Sequence, residues 1–150
     1  MRDDRLLSVT QEVRERCLCL HVQRAARAIG GRFDEALRPL GLTNGQYSLL
    51  VSLNRPGSSR LADVARLLAM SCTTLAADLK PLERRGLLIV MPAPGEQRSR
   101  RLRLTEAGLD ILEQAVPIWR TTHDAIDDLL RGGVPDVLRD DLLALTFGES

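Results

Sequence analysis

No apolar run in this chain approaches the roughly 18 residues that a membrane-spanning helix needs. The opening Met1-Arg2-Asp3-Asp4-Arg5, with only a short Leu pair behind it, lacks the apolar region of a signal peptide, so no membrane partner and a cytoplasmic location are expected. Cysteine is scarce and odd in number: Cys17, Cys19 and Cys72 among 150 residues argue against a disulfide framework, in a chain large enough to need no staple. Two histidines without ligand-like spacing to cysteine argue against a zinc site. No glycine-rich phosphate loop, metal-ligand cluster or nucleophile beside a base stands out, so neither an enzyme nor a cofactor nor a metal is expected. Lysine occurs once, at Lys80, and the remaining Lys-or-Arg cations are all Arg, which forks onto phosphates and base edges or merely reflects a genome's codon bias. Repeats and low-complexity linkers are absent too, and 150 residues fit one domain.

A net charge of +1 rules out any argument from overall basicity, and its distribution says more. Residues 121–150 hold seven Asp or Glu against two Arg, whereas Arg84 to Arg103 hold six Arg and one Glu. That basic stretch reads as a hairpin. Leu102 and Leu104 alternate with Arg101 and Arg103, so one face of a strand packs inward and the other presents guanidinium groups. Pro92, Pro94 and Gly95 break the pairing and build a tip that carries Arg98. The natural counterpart of so many positive charges on a short hairpin is a phosphate backbone; the bland alternative is a solubilising face.

The rest reads as helix. Leu18, Val22, Ala25, Ile29, Phe33 and Leu37 recur at helical intervals in one long amphipathic helix, softened at Gly30-Gly31 and ended by Pro39-Leu40-Gly41. Thr43-Asn-Gly-Gln46 has capping-box spacing and opens a second helix to about Asn54, and Arg55-Pro-Gly-Ser-Ser59 is a turn. Leu61, Val64, Ala65 and Leu68 mark a third helix. After the tight link Ala69-Met70-Ser71, Leu75, Leu79 and Leu82 mark a fourth. Two short helices so joined form a helix-turn-helix, whose second helix enters a major groove with Thr73, Ala76, Ala77 and Lys80 outward. Pro81 costs that helix a backbone bond and Gly86 can cap it. Thr105 caps a long fifth helix that Pro117 should kink, and Gly132-Gly133 and Pro135 introduce a last one striped by Leu138, Leu142 and Leu145. The expected fold is mainly α with a small β wing: one domain over 1–150. Residues 43–104 form its winged helix-turn-helix DNA-binding part, and 1–42 with 105–150 form a helical dimerisation part.

Thr43-x-x-Gln46-Tyr47, Leu61-Ala-Asp-Val-Ala-Arg-Leu-Leu68, Thr73-Thr-Leu-x-x-x-Leu-Lys-Pro-Leu-Glu-Arg-Arg-Gly-Leu87 and Glu96-x-Arg98-Ser-x-x-Leu-x-Leu-Thr-Glu-Ala-Gly108 together resemble the MarR family of bacterial transcription regulators. The resemblance covers nearly the whole chain in element order. It implies a homodimer whose two winged helices read a pseudo-palindromic double-stranded DNA operator, probing it as a repressor that a small ligand releases. By the same resemblance Arg98 is the wing-tip arginine that enters the minor groove, and Glu96 stands where an Asp usually braces it, on a longer arm. Base readout falls to Ser71, Thr73, Thr74 and Lys80, with Arg100, Arg101 and Arg103 on the wing, because Ser71, Cys72, Ala76 and Ala77 replace the more polar residues of many relatives.

Two switches are conceivable. A ligand pocket would draw on His21, Arg24, Arg27, Tyr47, Trp119 and His123, since pockets combine an apolar wall with few polar groups and Arg clamps a carboxylate, which points to a small aromatic acid. Alternatively, Cys19 precedes Thr43 by the 24 residues seen for the sensing cysteine in the family's organic-peroxide branch, although Gln23 and Phe33 stand where that branch has tyrosines, leaving Arg16 or His21 to activate the thiol. A reading of another class is a dimeric interaction protein whose DNA surface has decayed, motivated by Ala76-Ala77-Asp78; the six Arg of the wing argue against it.

Overall fold

The computed structural model describes residues 2–95, 97–130 and 132–148, with the side chains of residues 2, 3 and 97 left aside. Its elements run α1 (Arg2–Arg16), α2 (Leu18–Leu37), α3 (Asn44–Ser52), β1 (Ser59–Arg60), α4 (Leu61–Leu67), α5 (Cys72–Arg84), β2 (Leu88–Met91), β3 (Arg101–Leu104), α6 (Glu106–Asp127) and α7 (Pro135–Phe147), with single 3-10 turns at Arg38–Leu40 and Gln97–Ser99. Thus the fold is helical with one small antiparallel sheet of order β1-β3-β2.

Leu37, Leu50, Leu75, Leu82 and Leu102 are fully buried and join α2, α3, α5 and the sheet in one core. At about 25 cal/mol per Å2 of apolar surface, these leucines are the main stabilising force. α2 packs along α6, and α4 against α5.

Local chemistry sets the ends of these elements. Thr43 closes the full capping box with Gln46 at the start of α3. Asp34 on α2 accepts from the Asn44 amide at 2.6 Å, which satisfies another free donor of that helix end. Ser71 caps α5 and Thr105 caps α6. After α5 the Leu87 amide reaches back to the Leu82 carbonyl and Gly86 adopts φ +70°, a left-handed cap that glycine takes without strain. The same motif ends α4, where Met70 donates to Ala65 and Ala69 to Arg66, but there the left-handed residue is Ala69, at φ +52°. A Cβ in that region costs about 1–2 kcal/mol, and glycine returns part of the gain as backbone entropy. Ala69→Gly is therefore expected to raise stability by about 0.5–1 kcal/mol, read as a higher denaturant midpoint at unchanged m-value.

The structure departs from the sequence reading in two places. A helix precedes Cys17, so the amphipathic helix is the second element, and Cys17 is its N-cap with extended backbone. The Arg55–Ser59 turn ends in strand β1, which pairs Ser59 with Leu102 and Arg60 with Arg101. As expected, α2 runs as one helix through Gly30-Gly31, and α6 spans Glu106–Asp127 with Pro117 inside it. Among the described residues no helix is long and apolar enough to cross a membrane.

Candidate nucleic-acid interface

α4, the Ala69-centred turn and α5 form the helix-turn-helix. Leu75, Leu79 and Leu82 point into the core, which turns Thr73, Ala77 and Lys80 to solvent and leaves Ala76 half-buried. Two of the expected base readers serve the helix itself. Ser71 Oγ accepts from the Thr74 amide at 3.1 Å and donates to Thr74 Oγ1 at 2.8 Å, so Ser71 and Thr74 satisfy each other at the N-terminus of α5.

The hairpin has the alternation its sequence requires. β2 and β3 pair Leu88 with Leu104, Ile89 with Arg103, Val90 with Leu102 and Met91 with Arg101. Leu102 is buried while Arg101 and Arg103 are exposed. The tip turns through Pro92, Pro94 and Gly95 into the Gln97–Ser99 turn, where Arg98 is exposed and has no hydrogen bond or ion pair with any described residue. Glu96, the expected brace, lies outside the described residues. Arg101 behaves differently from the other wing cations: its Nε donates to Ser58 Oγ at 2.6 Å and a terminal nitrogen to the Ser58 carbonyl at 2.8 Å. Its outward guanidinium thus anchors the loop that feeds β1, a tertiary contact that strand alternation does not encode. Between α5 and the hairpin runs a groove of about 390 Å3, lined by Thr73, Ala76, Ala77, Lys80, Val90 and Arg100. Hence the exposed side of α5 and Arg100 of the wing face a common groove.

At the other end of α5, Arg85 donates to the carbonyls of Gly41 at 2.6 Å and Leu40 at 3.1 Å, tying that helix to the turn that follows α2. A cation at the carbonyl end of a helix is favourable, and the two-pronged guanidinium fixes an angle as well as a distance.

A second cavity, about 610 Å3, opens where α3 and the end of α4 meet α6, with Tyr47, Ser48, Ser52, Leu67, Trp119 and Arg120 in its lining. Burial pushes the Tyr47 phenol above its ordinary range while the nearby Arg120 pulls it the other way, so at neutral pH the hydroxyl remains a donor. Of the six pocket residues expected from the sequence, Tyr47 and Trp119 come together here. His123 stacks on Trp119 with ring centroids 4.8 Å apart and stands 3.7 Å from Asp127, one turn farther along α6. His21, Arg24 and Arg27 stand exposed on α2 and are not among the residues lining this cavity. The cation that does line it, Arg120, was missed, although Val116, Trp119 and Arg120 at i, i+3 and i+4 share a helix face.

Cys19 is exposed, and Gln23 Nε2 approaches its sulfur at 3.2 Å. Neither expected activator is directed at it: Arg16 pairs with Glu12 at 2.6 Å, and His21 Nδ1 lies 2.8 Å from the Cys17 carbonyl. Among the described residues no group of His, Cys, Asp and Glu is arranged to hold a metal ion.

A family model described as a winged helix DNA-binding domain matches residues 42–108. Among curated proteins, the transcriptional repressor NicR of Pseudomonas putida is 30% identical over 92 residues, which are 61% of this chain and 58% of NicR. The chain spans about half the length of the curated relatives it matches. Among solved structures, the M. tuberculosis transcriptional regulator MosR in complex with DNA is 36% identical with a TM-score of 0.73, covering 84% of this chain and 91% of that one. CouR, known from Rhodococcus jostii RHA1 and solved as a transcriptional repressor bound to p-coumaroyl-CoA, is 26% identical with a TM-score of 0.78, covering 92% and 96%. A MarR-family regulator from Rhodococcus shares the fold at 22% identity and a TM-score of 0.74, covering 85% and 92%. The matched winged helix, the exposed α5 face and the arginine wing agree with these regulators in fold and in order, and the chain belongs to the MarR family of winged helix-turn-helix, DNA-binding transcriptional regulators.

Proposed function

We propose that the protein is a cytoplasmic homodimeric repressor that holds a pseudo-palindromic operator with two winged helices and releases it when a small carboxylated aromatic enters the cavity between α3, α4 and α6. The observation that carries this reading is the position of that cavity: its walls come from the helices that support α5 on one side and from the long flanking helix on the other. A ligand wedged there changes the angle between the two parts, and it weakens DNA binding only by its differential affinity for the released state.

In this reading residues 43–104 are the DNA-binding part, with Thr73, Thr74 and Lys80 over the major groove and Ser71 holding the helix start. Arg98, braced by Glu96, enters the minor groove. Arg100 and Arg103 meet phosphates, and Arg101 adds charge while holding Ser58. Residues 1–42 and 105–150 form the dimerisation part. Leu6 on α1 and Leu145 and Phe147 on α7 are 60%, 61% and 55% exposed, open apolar surface that supports an interface in this part. A two-fold dimer would match an inverted repeat with half-sites about one helical turn apart.

Tyr47 and Trp119 would flank the aromatic ring, and Arg120, in the place expected of Arg24 or Arg27, would meet its carboxylate. NadR is solved with 4-hydroxyphenylacetate and CouR with p-coumaroyl-CoA, which supports that ligand class. A peroxide-sensing reading through Cys19 has less support, because no cation faces its sulfur among the described residues. The test is a panel of aromatic acids that includes 4-hydroxyphenylacetate, with melting temperature and DNA release as readouts. At least one acid is expected to raise the first and cause the second in wild type but not in Arg120→Ala. A panel without either effect removes the effector reading, and light scattering at the mass of a single chain removes the dimer.

A further inference from the structure

We propose that α5 selects its DNA chiefly by the C5-methyl groups of thymines, a specificity that rests on the DNA-binding reading above. Residues 73, 76, 77 and 80 follow the i, i+3, i+4, i+7 spacing of one helix face. What they offer is mostly methyl: the Thr73 methyl, and the Ala76 and Ala77 β-carbons, followed by the single cation Lys80. The forks that read purines are missing there, since α5 has no Asn or Gln and its Arg84 lies in the last turn, away from the N-terminal half that reaches base edges. The hydroxyls of Ser71 and Thr74 are engaged with each other, so they add little discrimination.

In a major groove the apolar feature of a base pair is the thymine methyl. Small side chains also let the helix backbone approach the base edges closely, and the groove beside Ala76 and Ala77, bounded by Val90 and Arg100, gives room for a base edge to lie against them. Asp78, exposed beside Ala77, disfavours a nearby phosphate, which leaves Lys80 as the α5 side chain that draws the backbone in. Thymines facing Thr73, Ala76 and Ala77 therefore carry the sequence information, while the wing carries affinity.

Burying one methyl group is worth about fourfold in a binding constant. Duplexes retained by the purified full chain from a random-sequence library are expected to share thymines at two or more positions of each half-site. Replacing those thymines one at a time by deoxyuridine, which removes the methyl and nothing else, is expected to weaken binding about fourfold each. In Ala76→Gly and Ala77→Gly, checked for folding by their melting curves, the uracil penalty at the matching position is expected to vanish. Retained duplexes indifferent to uracil, or a penalty that persists in both glycine variants, overturn the proposal alone. A library in which no duplex is enriched overturns the DNA-binding reading together with it.

Discussion

Gly108→Ala is expected to destabilise the fold by about 2 kcal/mol or more, although alanine is the better helix former by about 1 kcal/mol. A Cβ on Gly108 would stand 2.1 Å from the Leu87 carbonyl oxygen and 3.1 Å from a Leu104 methyl, so backbone rather than a flexible side chain must yield. The junction is tightly tied there. The Thr105 amide donates to the Leu87 carbonyl at 3.2 Å, the Thr105 hydroxyl donates to the Gly86 carbonyl at 2.6 Å, and Thr105 Oγ1 in turn accepts from the Gly108 amide at 3.1 Å. Moving α6 off this seat breaks the cap, worth about 1 kcal/mol, and disturbs the root of the wing between β2 and β3. A melting temperature lower by roughly 4–8 °C would follow for a chain of this size. An unchanged melting temperature would mean that α6 does not sit on Leu87.

Arg98→Ala is expected to weaken operator binding by about 1–3 kcal/mol while leaving the melting curve unchanged. The two readouts separate because Arg98 is exposed on the wing-tip turn and bonds to no described residue, so the fold loses nothing when it goes. Arg101→Ala is the useful contrast. Its guanidinium holds Ser58 by two bonds, and its loss should loosen the β1 edge as well as remove a charge. Equal and negligible effects on affinity from both substitutions would overturn the assignment of the hairpin as a wing.

The parts of this molecule legible in the sequence are those governed by local rules. Thr43-x-x-Gln46, Thr105 and Gly86 lie at the ends of helices where capping chemistry puts them, and the Arg101–Leu104 alternation became strand β3 with Leu102 inward. What escaped depends on distant partners. β1 is two residues long and exists because Ser59 and Arg60 find Leu102 and Arg101, more than 40 positions away, a pairing with no local signal. None of the described side chains of α1 is buried in the single chain, so its Leu6, Val9 and Val13 at helical spacing were overlooked beside a charged sequence. In the candidate pocket the aromatic pair was legible by residue type, whereas the choice of Arg120 over Arg24 and Arg27 follows from how α6 lies across α3.

The most direct test of DNA binding through the α5 and wing face is the salt dependence of equilibrium binding to a selected duplex, followed by fluorescence anisotropy for the wild type and Arg103→Ala. The logarithm of the association constant is predicted to fall linearly with the logarithm of salt concentration, with a slope of about −0.9 for each phosphate contacted, and to fall less steeply by about one such contact in Arg103→Ala. Binding that does not respond to salt, or two parallel lines of equal slope and height, would contradict it.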